Sequence, residues 1–175
     1  MSAATYPTVT GRRQQQSKRR RAARLTTLRL VREGSFPAPS DGFDAALGRV
    51  PIRSPRDVFA YMAPFAEREV GESFWILTLD SQHRLSTPGP TVITRGILNA
   101  SLVHPREVFC AAIVASAAAL VLCHNHPSGD PTPSADDRLV TEQLVAAGRL
   151  LDIPVHDHVI VGAGRYVSFA EAGLL

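Results

Sequence analysis

Two histidines and one aspartate within a short stretch have the residue types and the spacing of a metal site. His124 and His126 stand two residues apart at the end of an apolar run. Side chains alternate between the two faces of a strand, so both imidazoles are expected on one face, while Cys123 and Asn125 point to the other. The two rings can then reach one ion at the roughly 2 Å distances that zinc requires.

The third candidate ligand, Asp137, is expected at the start of the helix that follows. Residues 127–133 are rich in proline and glycine, which predicts a loop that reverses the chain and loses little entropy on folding. Ser134 is a good helix N-cap, so Asp137 falls in the first turn, where the helix dipole favours a carboxylate. Three protein ligands leave a position for water, which is typical of a catalytic rather than a structural zinc site.

The elements that must position these residues can be predicted from apolar periodicity, helix caps and turn residues. Strands are predicted at 25–31, 74–80, within 91–97, 119–123, 153–161 and 165–169, and helices from 54 to about 69–71, from 105, and from 134 to about 151. The continuous apolar run at 119–123 is typical of a central strand that is covered on both faces. Helices interleaved with strands favour an α/β fold with a mixed sheet.

The N-terminal stretch differs from the rest of the chain in charge. Residues 1–24 contain no acidic residue and seven basic ones: Arg12, Arg13, Lys18, Arg19, Arg20, Arg21 and Arg24. The whole chain has a net charge of +3, so residues 25–175 carry −4. The stretch is polar and lacks apolar periodicity, which predicts a disordered basic tail before one domain at 25–175. The tail is interpreted either as a contact for nucleic acid or as a solvated segment that aids solubility.

Length and composition narrow the class of protein further. The 175 residues fit one domain of ordinary size plus a tail. The sequence has no apolar run long enough to span a bilayer, and its basic N-terminus is not followed by the apolar stretch of a secretory signal. A cytoplasmic protein with no membrane partner is therefore expected. Cys110 and Cys123 lie in apolar runs, so both are expected to be buried reduced thiols.

The stretch from His124 to Asp137, HNHPSGDPTPSADD, resembles the JAMM metallopeptidase signature in the form found in the bacterial RadC family. The shared pattern is His-x-His, seven residues, Ser, two residues and Asp. Flanking segments, including residues 96–112, the string DHVIVG and the C-terminal YVSFAEAGLL, extend the resemblance to about residues 50–175. It implies a JAMM (MPN) fold, a cytidine deaminase-like α/β arrangement with a mixed curved sheet flanked by helices, and one zinc ion per chain.

The resemblance also implies catalytic roles. A glutamate at the head of a strand acts as general base in such proteins, and Glu72 occupies the matching position, although spacing alone does not select it over Glu67, Glu69 or Glu107. Ser134 would donate a hydrogen bond to the developing oxyanion. The implied function is a zinc metallopeptidase that hydrolyses a peptide or isopeptide bond through a metal-activated water. Its protein or peptide substrate is not identified by the sequence.

Other functions compete with this one. The sequence departs from full-length RadC proteins, which carry a helix-hairpin-helix segment before the JAMM domain where a short basic tail is expected here. The alternative function is a catalytically silent JAMM domain that acts as a nucleic-acid-associated (DNA repair or mobile-element) accessory module, with the arginine-rich tail as its contact. A cytidine deaminase is excluded because no His-x-Glu or Pro-Cys-x-x-Cys motif occurs, and no Gly-x-Ser-x-Gly elbow supports a serine hydrolase. A second pair, His156 and His158, is interpreted mainly as strand residues with satisfied nitrogens, and proximity to the site is the less favoured reading.

Overall fold

A computed structural model describes residues 50–96 and 103–175. The basic tail, the strand predicted at 25–31 and the residues from 32 to 49 lie outside these ranges. In chain order the elements are α1 (Pro55–Ala66), β1 (Ser73–Leu79), β2 (Thr91–Arg95), α2 (Pro105–Val114), β3 (Ala119–Asn125), α3 (Ala135–Leu151), β4 (Val155–Val161) and β5 (Tyr166–Ser168). Within the described ranges, no helix has the length and apolar character needed to cross a bilayer.

The strands form a mixed five-stranded sheet in the order β2-β1-β3-β4-β5. Strand β1 pairs antiparallel with β2 and β3, β4 pairs antiparallel with β5, and β3 and β4 are parallel. All seven residues of β3 are buried, as its continuous apolar run predicts. The predicted α/β fold with a mixed sheet flanked by helices is therefore confirmed. Because β3 and β4 are parallel and α3 connects them, the end of β3 lies at the same edge of the sheet as the start of α3.

Each face of the sheet is covered by a different layer of helix. Trp75, Leu77, Val121 and Cys123 pack in one core cluster with side chains of α1 such as Met62. The residues that alternate with them on β1 and β3 pack against α2 and α3 in a second cluster, which includes Phe74, Ile76, Leu120, Leu122, Val108 and Leu144. The two-residue alternation of the strands thus separates the core into two layers.

Helix α1 begins as predicted and ends earlier than predicted. Ser54 accepts a hydrogen bond from the Asp57 amide at 3.3 Å and caps the helix, with Pro55 at its first position. The helix ends at Ala66 rather than near residues 69–71. Between residues 67 and 72 no side chain is buried, and Val70 is 97% exposed, so no apolar contact holds another turn against the sheet.

The prediction of two buried thiols is half right. Cys123 is buried in the central strand, whereas Cys110 is exposed on α2, and both are free. The buried residues of α2 are Val108, Phe109 and Ala112, which form one helical stripe against the sheet. Cys110 lies off that stripe, because residues one and two positions apart point to different sides of a helix.

Candidate metal centre

The end of β3 places the two histidines. The strand continues two residues beyond its predicted end, so His124 lies within it and His126 directly follows it. The amide of His126 donates a hydrogen bond to the Val161 carbonyl at 2.9 Å, which keeps the chain beside β4 after the strand has ended. Phe74 pairs with His124 across β1 and β3, and its ring stacks against the imidazole with centroids 6.1 Å apart. The histidines therefore project from a rigid central element.

The first turn of α3 places Asp137. Ser134 and Asp137 form a capping box in which the Asp137 amide donates to Ser134 Oγ at 3.1 Å. The amide and the hydroxyl of Ser134 donate in turn to Asp137 Oδ2, at 2.7 and 2.6 Å. The carboxylate is thus held by the same bonds that start the helix, and its remaining oxygen, Oδ1, is directed to His124.

The loop between β3 and α3 rests against the turn that connects β4 and β5. The Ala163 amide donates to the Gly129 carbonyl at 3.1 Å. A Cβ atom on Gly162 would lie 2.5 Å from the same carbonyl oxygen, so only glycine permits this approach. Gly129 itself has φ +81°, a conformation that side chains disfavour. These contacts fix the start of α3 relative to the end of β3.

The three predicted ligand residues are brought together. The Nε2 atoms of His124 and His126 lie 2.9 Å apart, His124 Nε2 lies 3.1 Å from Asp137 Oδ1, and His126 Nε2 lies 3.6 Å from Asp137 Oδ2. Ligand atoms on bonds of about 2 Å at tetrahedral angles would be separated by roughly 3.3 Å, so these separations suit one small ion. Two imidazole nitrogens and one carboxylate oxygen form a donor set that zinc accepts.

Burial distinguishes the ligands from one another. The side chains of His124 and Asp137 are 0% and 2% exposed, whereas that of His126 is 13% exposed and faces the surface. Burial opposes ionisation of Asp137, but the close contacts of the carboxylate with the His124 and His126 rings outweigh it and hold the pKa of the carboxyl far below its usual range. Burial lowers the pKa of His124, and the nearby Asp137 carboxylate raises the pKa of His126. An ionised carboxylate beside a neutral, buried His124 is the state that a cation requires.

Hydrogen bonds behind the histidines determine which ring nitrogen faces the metal position. His126 Nδ1 lies 2.7 Å from the Asp130 carbonyl, which can only accept, so Nδ1 carries the proton and Nε2 keeps its lone pair. On the other side, the Thr141 hydroxyl donates to the Asp137 carbonyl. A hydroxyl has a single proton, so Thr141 must accept from the ring nitrogen beside it, which is Nδ1 of His158 at 2.6 Å.

This chain of bonds continues to His124. With the proton of His158 on Nδ1, its Nε2 accepts from His124 Nδ1 at 2.8 Å, and His124 Nε2 is left with its lone pair toward Asp137 and His126. Burial lowers the pKa of His158 well below its usual value, which favours the neutral ring that this arrangement needs. Buried partners of this kind orient metal-binding histidines.

The pair His156 and His158 is divided by an irregularity in β4. Leu120 pairs with Val155 and Val121 pairs with Asp157, so β4 contains one extra residue at this point. As a result His158 lies on the face of His124, whereas His156 is exposed and its ring lies 5.0 Å from that of His83. His158 therefore lies close to the site, which is the less favoured interpretation of the sequence, and His156 does not.

Glu72 lies next to the histidines at the start of β1. Phe74 is paired with His124, and continuing that register by two residues places Glu72 opposite His126 and on the same face of the sheet. The charge of Glu72 also acts to raise the pKa values of His124 and His126. Its effect is smaller than that of burial on His124 and smaller than that of Asp137 on His126. By contrast, Glu107 forms an exposed ion pair with Arg106.

Ser134 is already engaged in the described structure. Its hydroxyl proton is donated to Asp137 Oδ2, so the side chain orients a ligand in addition to capping α3. To donate to an oxyanion, the hydroxyl would have to turn away from that carboxylate, because it has only one proton. Its role as an oxyanion donor stays a prediction.

A groove with a volume of about 420 Å³ opens beside His126. Its walls are the C-terminal half of α1 with the turn after it, the end of β3, and the turn between β4 and β5; residues in these walls include Phe59, Ala63, Glu67, Glu69, Asn125 and Ala163. Glu69 also forms an ion pair with Arg95 at 3.3 Å. The exposed edge of His126 is therefore the part of the centre that a ligand in the groove would meet.

Comparison with known proteins places this geometry in a family. Residues 52–174 match the family model described as RadC-like JAB domain. UPF0758 proteins from Methanosarcina acetivorans and Symbiobacterium thermophilum are 48% and 49% identical to the chain over 124 and 131 residues, covering 71% and 75% of this chain and 53% and 55% of theirs. A UPF0758 protein from Pelobacter propionicus is 48% identical over 122 residues, or 70% of this chain and 52% of the relative. The chain thus spans about half the length of these curated relatives.

Proposed function

This chain belongs to the RadC-like JAB domain family, and we propose that it is a zinc-dependent hydrolase that cleaves a peptide or isopeptide bond. The observation that carries the proposal is the convergence of His124, His126 and Asp137, whose ligand atoms all lie within 4.8 Å of one another. Three protein ligands leave a coordination position open, which is the arrangement of catalytic zinc sites.

In the proposed reaction, each side chain of the centre has one task. His124, His126 and Asp137 would hold the ion, which when bound supplies a Lewis acid that lowers the pKa of water and polarises a carbonyl group. The Glu72 carboxylate accepts the proton of the attacking water and returns it to the leaving amine. The Ser134 hydroxyl, after turning from Asp137, donates to the oxyanion that forms on the substrate carbonyl.

The groove beside His126 is where we place the substrate. It adjoins the most exposed ligand and is open along α1 and the β4–β5 turn, so an extended protein segment could lie across the centre. Glu67 and Glu69 face it from one wall, although the ion pair with Arg95 offsets part of the charge of Glu69. The acidic wall favours a segment with a neutral or basic side chain at that point.

Metal analysis of two variants tests the proposal. The purified wild-type chain is expected to contain one zinc per chain, and His126→Ala is expected to lose most of it because one of three ligands is removed. Glu72→Gln preserves the size of the side chain and removes the proton acceptor, so it should retain zinc while turnover of an identified substrate falls by roughly 10²–10⁴. Full zinc in His126→Ala would overturn the ligand assignment, and full turnover in Glu72→Gln would overturn the general base.

A further inference from the structure

Asn125 stands between the two histidine ligands, and its side chain reaches the neighbouring strand instead of the metal position. We propose that Asn125 is a positioning residue that holds the backbone on both sides of Glu72, so that the general base and the histidines form one rigid unit. This inference rests on the proposed function, because it assigns Asn125 a task in aligning a base with the metal centre.

The contacts of the Asn125 carboxamide are specific in direction. The Ser73 amide donates to Asn125 Oδ1 at 2.8 Å, and Asn125 Nδ2 donates to the Gly71 carbonyl at 3.1 Å. These two backbone groups flank Glu72 on either side. A third bond, from the Gly96 amide to the Glu72 carbonyl at 2.8 Å, holds the peptide from the β2 side.

The need for such a side chain follows from where the strands end. The ladder between β1 and β3 is paired as far as Phe74 and His124, and just before that pair the Ser73 amide and the Gly71 carbonyl bond to the Asn125 side chain. The Asn125 side chain adds a donor and an acceptor just past this point. It is 4% exposed, and its bond with the buried Ser73 amide is shielded from water, so loss of that bond is not readily replaced.

Only a short carboxamide satisfies both partners. Aspartate at position 125 would accept from the Ser73 amide but would place a second acceptor against the Gly71 carbonyl, and alanine would satisfy neither group. Because side chains alternate on a strand, residue 125 points away from the face that carries His124 and His126. Its substitution therefore tests the position of Glu72 with the ligands left in place.

The experiment compares Asn125→Ala and Asn125→Asp with the full wild-type chain and with Gln82→Ala, which removes an exposed carboxamide from the turn after β1. Metal content, hydrogen exchange of the Ser73 amide, and the visible absorption spectrum of the protein loaded with cobalt(II) are measured for each. The spectrum reports on groups around the bound ion. The reference for loss of the glutamate is Glu72→Gln, which is measured alone and in combination with Asn125→Ala.

We expect both Asn125 variants to bind one metal per chain. In Asn125→Ala the Ser73 amide should exchange roughly tenfold faster or more, since it has lost its acceptor, whereas Asn125→Asp should protect it partly. Asn125→Ala should reproduce the spectral change of Glu72→Gln, the double variant should add little to either, and Gln82→Ala should match the wild type. Should Asn125→Ala prove unstable, Asn125→Asp, which leaves no cavity, gives the same spectral comparison.

Two results would overturn the inference, and they are distinguishable from failure of the proposed function. A wild-type spectrum in Asn125→Ala, when Glu72→Gln has changed it, means that Glu72 does not depend on Asn125. A spectrum unaffected by Glu72→Gln means that Glu72 does not face the ion, which removes the basis for a positioning role. Failure of the wild-type chain to bind metal would instead reject the proposed function itself.

Discussion

At the scale of single residues, the ring nitrogens that face the metal position are selected by groups that are not ligands. The Asp130 carbonyl accepts a hydrogen bond from His126 Nδ1. His158, which is itself bonded to Thr141, accepts one from His124 Nδ1. Both Nε2 atoms are therefore available before a cation arrives. Pre-organisation of this kind lowers the cost of binding, because the imidazoles need not change tautomer or rotate.

Removal of the Thr141 hydroxyl should weaken metal binding. Thr141→Val keeps the shape of the side chain but removes the acceptor of His158 Nδ1. We expect an affinity for zinc about 10- to 100-fold lower, measured by competition with a chromogenic chelator. Thr78→Val is the matched control, since Thr78 is equally buried and its hydroxyl bonds to Thr87 far along β1. Equal affinities in the two variants would contradict the role of Thr141.

The buried His158 also predicts a dependence of stability on pH in metal-free protein. Burial keeps the folded pKa well below the ordinary value, so below about pH 6.5 the unfolded chain binds a proton that the folded chain does not. The stabilising contribution is complete above the unfolded pKa and is lost as the pH falls toward the folded pKa. The slope is about 1.4 kcal/mol per pH unit for one such group.

Urea unfolding between pH 7.5 and 5.5 measures this slope. His124 has a lowered pKa for the same reason and acts in the same direction. The raised pKa of His126 contributes stability that is complete below about pH 6.5 and is lost as the pH rises above that value, so His126 does not add to the slope at lower pH. Replacement of the titrating ring in His158→Gln should flatten the dependence below pH 6.5. An unchanged slope in that variant would show that His158 titrates normally in the fold.

At the scale of secondary structure, the centre is built where one element ends and the next begins. Strand β3 carries His124 to the edge of the sheet, and the capping box of α3 presents Asp137 at the same edge. The intervening loop is held by the β4–β5 turn through Gly129 and Gly162. The ligands are therefore placed by regular elements, which hold side chains more accurately than loops do.

Comparison of the two serine caps separates the effect of Ser134 on the orientation of Asp137 from its effect as a helix cap. Ser134→Ala and Ser54→Ala each remove an N-cap, so each should lower the free energy of unfolding by about 0.5–2 kcal/mol. Only Ser134→Ala also removes a hydrogen bond from Asp137 Oδ2, and only this variant should bind zinc more weakly. Calorimetry of both variants with and without zinc measures the two effects. Equal zinc affinity would mean that the amide of residue 134 suffices to orient the carboxylate.

At the scale of the whole molecule, charge is distributed unevenly along the chain. Residues 1–24 carry seven basic side chains, whereas residues 25–175 have a net charge of −4. An acidic domain repels the phosphates of a nucleic acid, so any affinity of the chain for it should come from the tail. A nucleic-acid-associated module, active or silent, is the second function that this charge pattern supports.

Deletion of residues 1–24 tests that function. If the tail contacts phosphates, binding of a short DNA duplex should weaken steeply with salt, with a log–log slope of up to about −6 for seven contacts. The deleted chain should lose binding and retain its fold and zinc content, as judged by fluorescence anisotropy, circular dichroism and metal analysis. Equal binding by the deleted chain, or none by the full chain at low salt, would assign the tail to solubility alone.

The sequence by itself determined the local parts of this protein. The alternation of β3 put His124 and His126 on one face, and the cap at Ser134 put Asp137 in a first helical turn, because both patterns depend on residues that are neighbours in the chain. The order of helices and strands followed from the same short-range signals. Element ends were less certain, as α1 shows, because a helix continues only while side chains find a core to contact.

Tertiary structure alone decided how distant segments complete the centre. His158 reaches His124 across 34 residues, and Asn125 reaches Ser73 across 52, through pairings of β3 with β4 and with β1. A single extra residue in β4 decides which of its histidines faces the site. Strand register depends on the packing of both layers against the sheet, and a shift by one residue exchanges the two faces. No short-range pattern contains that information, which is why these partners were found only in the folded chain.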